Sequence, residues 1–356
     1  MKVLVVKNNQ EGLSKALSLL YKEGEQRNSR NGPVLTTPYP VTTVFEKPLE
    51  RIIFNPERDY NCAFILYEAM WMLAGRNDVA PIARYAKNMM NYSVDKTNLH
   101  AAYGHRWRKQ FGIDQLEIIA QRLQNNKEDR RSVLQMWDSR LDLHRDDKAL
   151  DLPCNDTCTF QIGADGKLYL VVFCRSNDVV WGTFFANQGH FSTLLEYMSL
   201  YIGVPIGTYT QISVNFHGYL NVLDTVKELQ YADFKNPYEH GISTLPMTES
   251  RHGESPNDTI KRLDKSIKEL LLHADTNFKL PRLENDNETW VDVAYAVLKA
   301  HELWRTLAAP ERFEEPLKVL AAQPKNVDWI VAMREWIERR QAIWEQKQIA
   351  GGKIQE

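Results

Sequence analysis

Apolar residues along this chain of 356 residues recur with two periods, and the switches between them mark its elements. Between Asn9 and Arg27, Leu13, Ala16, Leu17, Leu19 and Leu20 fall at helical spacing and predict an amphipathic helix starting near Asn9. Tyr60 to Gly75 is a denser helical run, closed by its glycine, with Glu68 as the one charge inside it. Ala80–Met90, Ile113–Gln124, Asn187–Ile202 and Tyr219–Gln230 are further predicted helices. Alternating or β-branched runs predict strands at Met1–Val6, across Val41–Ile53, at Ser132–Trp137 and at Pro205–Phe216. Phe160–Ile162 and Leu168–Phe173 read as a hairpin around Ala164-Asp165-Gly166-Lys167. Ser29–Pro33 and Tyr103–Arg108 read as loops. Pro237–Pro256 is rich in turn formers, and beyond it Thr259–His273, Glu288–Ala308 and Val327–Lys347 are amphipathic helices. The pattern therefore predicts a main unit over 1–255 and a helical extension over 256–356.

Composition narrows the class. Hydrophobic residues at 43% and charged residues at 25% describe an ordinary globular chain. A net charge of −2 offers no field for polymeric nucleic acid, so a phosphate partner should be small and locally bound. No apolar run approaches the roughly 20 residues of a membrane span. Four cysteines, Cys62, Cys154, Cys158 and Cys174, are sparse for a disulfide scaffold and fit a reducing cytoplasm.

The chemistry concentrates between Leu152 and Asn221. Pro153-Cys154 presents a thiol after a rigid residue, and Arg175-Ser176-Asn177-Asp178, Trp181-Gly182, Asn187 and His217-Gly218-Tyr219 follow. Singly, each has a structural reading: a cysteine is usually inert core, and Arg130-Arg131 a solvated pair. Cys154-x3-Cys158 lacks the second ligand pair of a zinc site, so no metal is expected.

In order, the landmarks Arg30-x-Gly32, Glu68-x2-Trp71-x3-Gly75, Tyr103-Gly104-x2-Trp107-Arg108, Arg130-Arg131, Pro153-Cys154, Ala164 to Leu168, Arg175-Ser176-x-Asp178-x3-Gly182, Phe185-x-Asn187 and His217-x-Tyr219 resemble the thymidylate synthase family over Arg30–Asn221. The resemblance implies an α+β fold, a large twisted mixed sheet flanked by helices, here with extra C-terminal helices. It also implies a homodimer, and one-carbon transfer from the co-substrate 5,10-methylenetetrahydrofolate to C5 of a pyrimidine nucleoside monophosphate. Carbon 5 is a poor nucleophile until a thiolate adds at C6. By this match Cys154 is the nucleophile and Arg175 favours its thiolate and contacts phosphate. Arg30 and Ser176 complete the phosphate site, with Arg130 and Arg131 entering from the partner subunit. His217 and Tyr219 hold the sugar 3′-hydroxyl. Glu68 organises water and proton transfers, Tyr103 assists proton removal from C5, and Asp178, Gly182 and Trp71 face the folate.

Asn187 matches the base-reading amide when the family spacing is counted back from His217. Counted forward from Arg175, that position is Ala186, so Asn187 requires one extra residue around Thr183–Ala186. Asn187 suits uracil, where a carboxylate would suit cytosine, which favours dUMP over dCMP or CMP. Other positions depart from the pattern. Asn155 stands where histidine is usual, Cys174 where glutamine is usual, and Met89 and Tyr92 where tryptophans meet the folate. The terminal Gly351–Glu356 lacks an apolar lid. A less sealed site lets water, rather than hydride, complete the transferred carbon. The expected activity is therefore hydroxymethylation, as in virus-encoded enzymes acting in the host cytoplasm, with reductive methylation to dTMP as the alternative. A non-catalytic nucleotide binder is a further alternative, against which the intact Cys154, Glu68, Arg175 and Tyr103 argue.

Overall fold

A computed structural model describes residues 1–146, 149–231, 235–248, 251–281 and 289–352. Eight strands form one mixed sheet: β1 (Lys2–Val6), β2 (Glu25–Ser29), β3 (Gly32–Thr36), β4 (Val41–Phe45), β5 (Val133–Gln135), β6 (Asn155–Ile162), β7 (Leu168–Asp178) and β8 (Ile206–Tyr219). Their order is β1-β4-β8-β7-β6-β5, with the β2–β3 hairpin joined to the end of β8. The β1–β4 and β7–β8 pairs are parallel, and the remaining pairs antiparallel. Alternate residues turn inward, among them Phe45, Phe160, Val172, Cys174, Tyr209, Gln211 and Ser213. On the opposite face Val133, Phe173 and Val214 stay exposed.

The helices are α1 (Asn9–Glu23), α2 (Cys62–Leu73), α3 (Val79–Ala83), α4 (Tyr103–Arg108), α5 (Gln115–Asn125), α6 (Ser139–Asp142), α7 (Gln188–Ile202), α8 (Leu220–Val226), α9 (Pro256–Asp275), α10 (Thr289–Thr306), α11 (Glu311–Ala321) and α12 (Asp328–Gly352). In α2, 11 of its 12 residues are buried and Glu68 is the exception. The reason is that α2 is covered twice, by α7 on one side and by α9, α10 and α12 on the other. The Tyr67 hydroxyl donates to Asp275 (2.7 Å), and Cys62 Sγ lies 3.9 Å from Met333 Sδ. A buried Arg51–Glu196 pair, with Arg51 also bonded to Ser192 Oγ, fixes α7. Among the described residues no helix is long and apolar enough to cross a membrane.

Several boundaries differ from the sequence reading. Residues expected in the first helix and in the loop after it form the β2–β3 hairpin. All five residues of β2 are exposed, so no alternation announces it. Tyr103–Arg108 is helical rather than a loop, because Gly104 lies flat against the α2 backbone where a Cβ would collide with Met72 O. The strand expected across Val41–Ile53 stops at Phe45, and Ala80–Met90 divides into α3 and a 3₁₀ turn over Lys87–Asn91. Helix α11 was not expected. Glu288 and Lys353–Glu356 lie outside the described residues.

Candidate active site

Cys154 immediately precedes β6 and is half-buried. Its carbonyl accepts the Arg175 backbone N–H (2.9 Å), and Arg175 Nε donates to the Pro153 carbonyl (2.8 Å). Arg175, through its backbone N–H and its guanidinium, thus clamps the Pro153-Cys154 turn against β7. The β6–β7 register slips between Asn155 and Thr157, so Asp156 is the extra residue of a bulge beside the thiol. A bulge re-aims its neighbours, which suits a nucleophile that must leave the sheet surface. Burial raises the Cys154 pKa, while Arg175 and Arg30 pull it down and Asp156 and Asp151 push it up. Burial likewise pushes the Asp156 carboxyl up to about 6, against the pull of Arg175.

The Tyr103 hydroxyl oxygen accepts the backbone N–H groups of Cys154 (3.0 Å) and Asn155 (3.1 Å). Both oxygen lone pairs are then engaged, which leaves its own proton to donate. Burial and the neighbouring Cys154 hold this phenol protonated, its pKa well above the ordinary value.

Behind the thiol runs a buried chain of amides. Tyr209 Oη donates to Gln211 Oε1 (2.9 Å), Gln211 Nε2 to Asn155 Oδ1 (3.2 Å), and Asn155 Nδ2 to Asn187 Oδ1 (3.0 Å). Asn187 Nδ2 donates to Asn177 Oδ1 (2.9 Å), and Asn177 Nδ2 to Ser213 Oγ (2.9 Å). Gly182 makes room for the chain, since a Cβ there would collide with Asn177 Oδ1. Asn187 reaches it through a π-helical segment, Val179–Asn187, kinked at Phe184. A π turn accommodates one residue more than an α turn. The segment covers Thr183–Ala186, where the Asn187 alignment calls for one extra residue.

At the strand ends, Asp178 pairs in register with His217 across β7 and β8, and Ser176 with Asn215. Asp178 Oδ1 accepts the N–H groups of Val180 (2.9 Å) and Trp181 (2.5 Å), whereas its Oδ2 is buried without a partner. His217 Nδ1 and Thr183 Oγ1 are likewise unpartnered. Desolvation raises the Asp178 pKa and lowers that of His217. The His217 and Tyr219 rings meet edge to face, and Asn31 Nδ2 donates to Tyr219 Oη (3.4 Å), joining the β2–β3 turn to this end of the sheet. Arg30, in the same turn, donates to the Ala149 carbonyl (2.6 Å).

Glu68 faces His190 of α7, whose Nε2 lies 3.0 Å from Glu68 Oε2 but off the hydrogen-bonding line. That buried nitrogen keeps no well-directed partner. Trp71, expected to face the folate, is 2% exposed and donates its indole N–H to Asp78. Gly182, expected to face the folate, lies against the amide chain. Arg130 and Arg131 are both exposed at the start of the edge strand β5, and Arg131 folds onto Asp129. Within this one chain they are not brought to Cys154.

The structure thus gathers Cys154, Tyr103, Arg175 and Asn187 around one turn, with Arg30 bearing on the thiol electrostatically, and Ser176, Asp178, His217 and Tyr219 along the neighbouring strand ends. Asn177, Gln211, Ser213, Asp156 and His190 were not singled out from sequence. Asn177 was hidden inside the Arg175–Asp178 landmark, and Gln211, like Ser213, is a polar residue on the inward side of β8. Those inward polar residues were the available signal. Among the described residues no cluster of three or more His, Cys, Asp or Glu could hold a metal ion.

Comparison with known proteins adds three observations. A family model described as thymidylate synthase matches residues 14–277. A deoxyuridylate hydroxymethyltransferase of Pseudomonas phage M6 is 42% identical over 97% of this chain and 96% of its own length. One of Bacillus phage SP01 is 36% identical over 58% of this chain and 55% of its own. In fold, the crystal structure of thymidylate synthase from T4 phage superposes with a TM-score of 0.57 at 20% identity, covering 72% of this chain and 91% of that one.

Proposed function

This chain belongs to the thymidylate synthase family, and from that premise we propose that it transfers a hydroxymethyl group to C5 of dUMP. One observation carries the reading. The Tyr103 oxygen bonds the backbone of Cys154 and Asn155, and the Asn155 side chain bonds Asn187. Nucleophile, phenol and base reader are therefore parts of one hydrogen-bonded unit. The M6 relative, similar over nearly its whole length, bears a name with this activity.

When bound, 5,10-methylenetetrahydrofolate supplies the one-carbon unit at the formaldehyde level. The chain offers it a fit: Asp178 Oδ2 is a buried carboxylate oxygen without a donor, matching the N–H groups of a pterin ring. In the proposed sequence Cys154 adds as thiolate to C6, and its pair of electrons makes C5 nucleophilic toward the one-carbon unit. Arg175 lowers the cost of that thiolate and, with Arg30 and Ser176, meets the phosphate. Asn187 reads the base edge. The Tyr103 hydroxyl, held protonated, donates to the oxygen or water that carries off the C5 proton. As the C5 proton leaves, the electron pair it releases breaks the bond between the transferred carbon and the folate nitrogen. Water adds to the methylene left on C5 and gives its proton to the Glu68–His190 pair, and the electrons returned to the ring expel the Cys154 thiolate from C6. His217 and Tyr219 hold the sugar hydroxyl.

The exposed sheet face with Phe173 and Val214 favours burial against a second copy, which brings Arg130 and Arg131 into the neighbouring site. Sedimentation of the purified protein as a monomer would contradict that assembly. Residues 256–356 are read as an extension that holds α2, and with it Glu68, against the sheet. Incubation of the enzyme with dUMP and 5,10-methylenetetrahydrofolate, followed by mass spectrometry, tests the activity. The expected products are hydroxymethyl-dUMP and tetrahydrofolate. Methylated nucleotide with dihydrofolate would replace the proposal with reductive methylation, and binding without turnover would make the protein a nucleotide-binding relative.

A further inference from the structure

The amide chain has a direction, and that direction decides what Asn187 can show to a base. An amide has two N–H donors and two lone pairs on oxygen. Asn187 spends one lone pair on Asn155 and one N–H on Asn177. One donor and one acceptor remain for a ligand, the acceptor on the Asn155 side and the donor on the Asn177 side. Uracil presents an acceptor, O4, beside a donor, N3–H. Cytosine presents the reverse, an amino donor beside the N3 acceptor. Turning the Asn187 amide over therefore exchanges complementarity to one base for complementarity to the other.

Asn187 cannot turn alone. Asn155, Asn177, Gln211, Ser213 and Tyr209 are buried with it, and reversing one amide sets donor against donor or oxygen against oxygen at both neighbours. A mismatched buried pair leaves two desolvated groups without a partner at each contact, so the chain reverses as a whole or not at all. Its two ends are hydroxyls, Tyr209 and Ser213. A hydroxyl can donate or accept, so each end can meet either direction. The remaining members choose.

We propose that the direction of hydrogen bonding along Tyr209–Gln211–Asn155–Asn187–Asn177–Ser213 sets the base selectivity of this site, with Asn155, Asn177 and Gln211 as positioning residues that never touch the base. The proposal rests on the reading of the site as a pyrimidine nucleotide site, and it assigns the observed direction to uracil. Asn155 is the point where this control enters, because its side chain joins Gln211 on β8 to Asn187 on the opposite flank.

A carboxylate only accepts, so it imposes a direction. In Asn177→Asp the new carboxylate accepts from Asn187 Nδ2 and from the Ser213 hydroxyl, and Asn187 keeps its observed orientation. In Gln211→Glu the carboxylate accepts from Tyr209 and from Asn155 Nδ2. Asn155 Oδ1 must then face Asn187 and accept its N–H, which turns Asn187 over. The two variants add the same charge to the same buried chain and differ in the direction they impose. Isothermal titration with dUMP and with dCMP, without folate, gives the ratio of dissociation constants apart from any effect on turnover. The expected preference for dUMP stays within about 3-fold of the parent in Asn177→Asp and falls by about 10-fold or more in Gln211→Glu, the equivalent of one mismatched contact. Asn155→Asp, in which Gln211 and Asn187 both donate to the carboxylate, should behave like Gln211→Glu and replaces it if that variant does not fold by thermal melting. Equal losses of preference in the Asn177 and Gln211 variants, or no loss in either reversing variant, overturn the proposal. A parent protein that binds neither nucleotide overturns the proposed function as well, whereas a parent selective for dUMP with unresponsive variants overturns this inference alone.

Discussion

Two polar clusters lie side by side at the ends of β7 and β8 and are built in opposite ways. In the amide chain each of Gln211, Asn155, Asn187 and Asn177 is bonded on both flanks. One residue further along β7, Asp178 Oδ2, His217 Nδ1 and Thr183 Oγ1 are buried with no partner. Each unmatched group costs about 1–3 kcal/mol, and folded proteins carry few of them. A network whose members are bonded on both flanks holds its shape before a ligand arrives, so it reads. An unsaturated one is completed by the ligand, so it receives. On the proposed function, the comparison divides the site into a rigid face for the base and a receptive face for the sugar and the folate.

The sharpest way to break this division is to remove the thiol both clusters serve. Cys154→Ala should lower turnover by roughly 10,000-fold or more and leave dUMP binding measurable by calorimetry. Retained turnover would mean that the clusters serve some other group. Within the reading face, Asn187→Asp should move the ratio of kcat/KM for dCMP over dUMP upward by about 100-fold, since a site built to pair a polar edge rejects the wrong one strongly. An unchanged ratio would show that Asn187 does not meet the base.

The receiving face predicts a different signature. Asp178→Asn should raise the KM for the folate by about 10-fold, the loss of a charged hydrogen bond, with dUMP affinity unchanged. Desolvation raises the Asp178 pKa, so the carboxylate is lost as pH falls through that raised value. Folate affinity in the parent should fall with it, and in Asp178→Asn it should not. A parallel pH profile in both proteins would remove Asp178 from the folate site.

That Cys154, Tyr103, Arg175 and Asn187 belong to one candidate site was legible in sequence because motif residues carry chemistry irrespective of register. The amide chain was not, because it exists through strand pairing: Asn155 meets Cys174 on β7, and β7 lies beside β8 so that Cys174 opposes Ser213. Hydrophobic alternation predicted a strand at β8 but carried no information on which inward residue faces which. The choice between Ala186 and Asn187 turned on backbone geometry that no residue pattern announces, a π-helical segment over Val179–Asn187. β2 escaped because an exposed edge strand with no apolar face has no period to detect. His190 was hidden among the apolar neighbours of α7, whose residues are buried on nearly every side.

Asp156 gives the smallest effect. Its carboxyl, pushed up to about 6, ionises as pH rises through that value and then opposes the Cys154 thiolate. Asp156→Asn should shift the pH profile of Cys154 alkylation by iodoacetamide to lower pH, accelerating the reaction a few-fold above pH 6 at most. The stability sign is that of a raised carboxylate. A cost to the folded state accumulates from the unfolded-chain pKa of about 3.9 up to about 6 and persists above it. Asp156→Asn should therefore melt at a higher temperature above pH 6 and at the parental temperature below about pH 4. A profile that does not move would place the carboxylate too far from the thiol to matter.

The central claim is a transient bond between Cys154 Sγ and C6 of the base. A dUMP analogue with fluorine at C5 lacks the proton that must leave that carbon, so the covalent intermediate should stall. Digestion of the enzyme after incubation with this analogue and 5,10-methylenetetrahydrofolate, followed by peptide mass spectrometry, should find nucleotide, one-carbon unit and folate together on the peptide carrying Cys154. An unmodified Cys154 peptide in a protein that still converts dUMP would contradict the account.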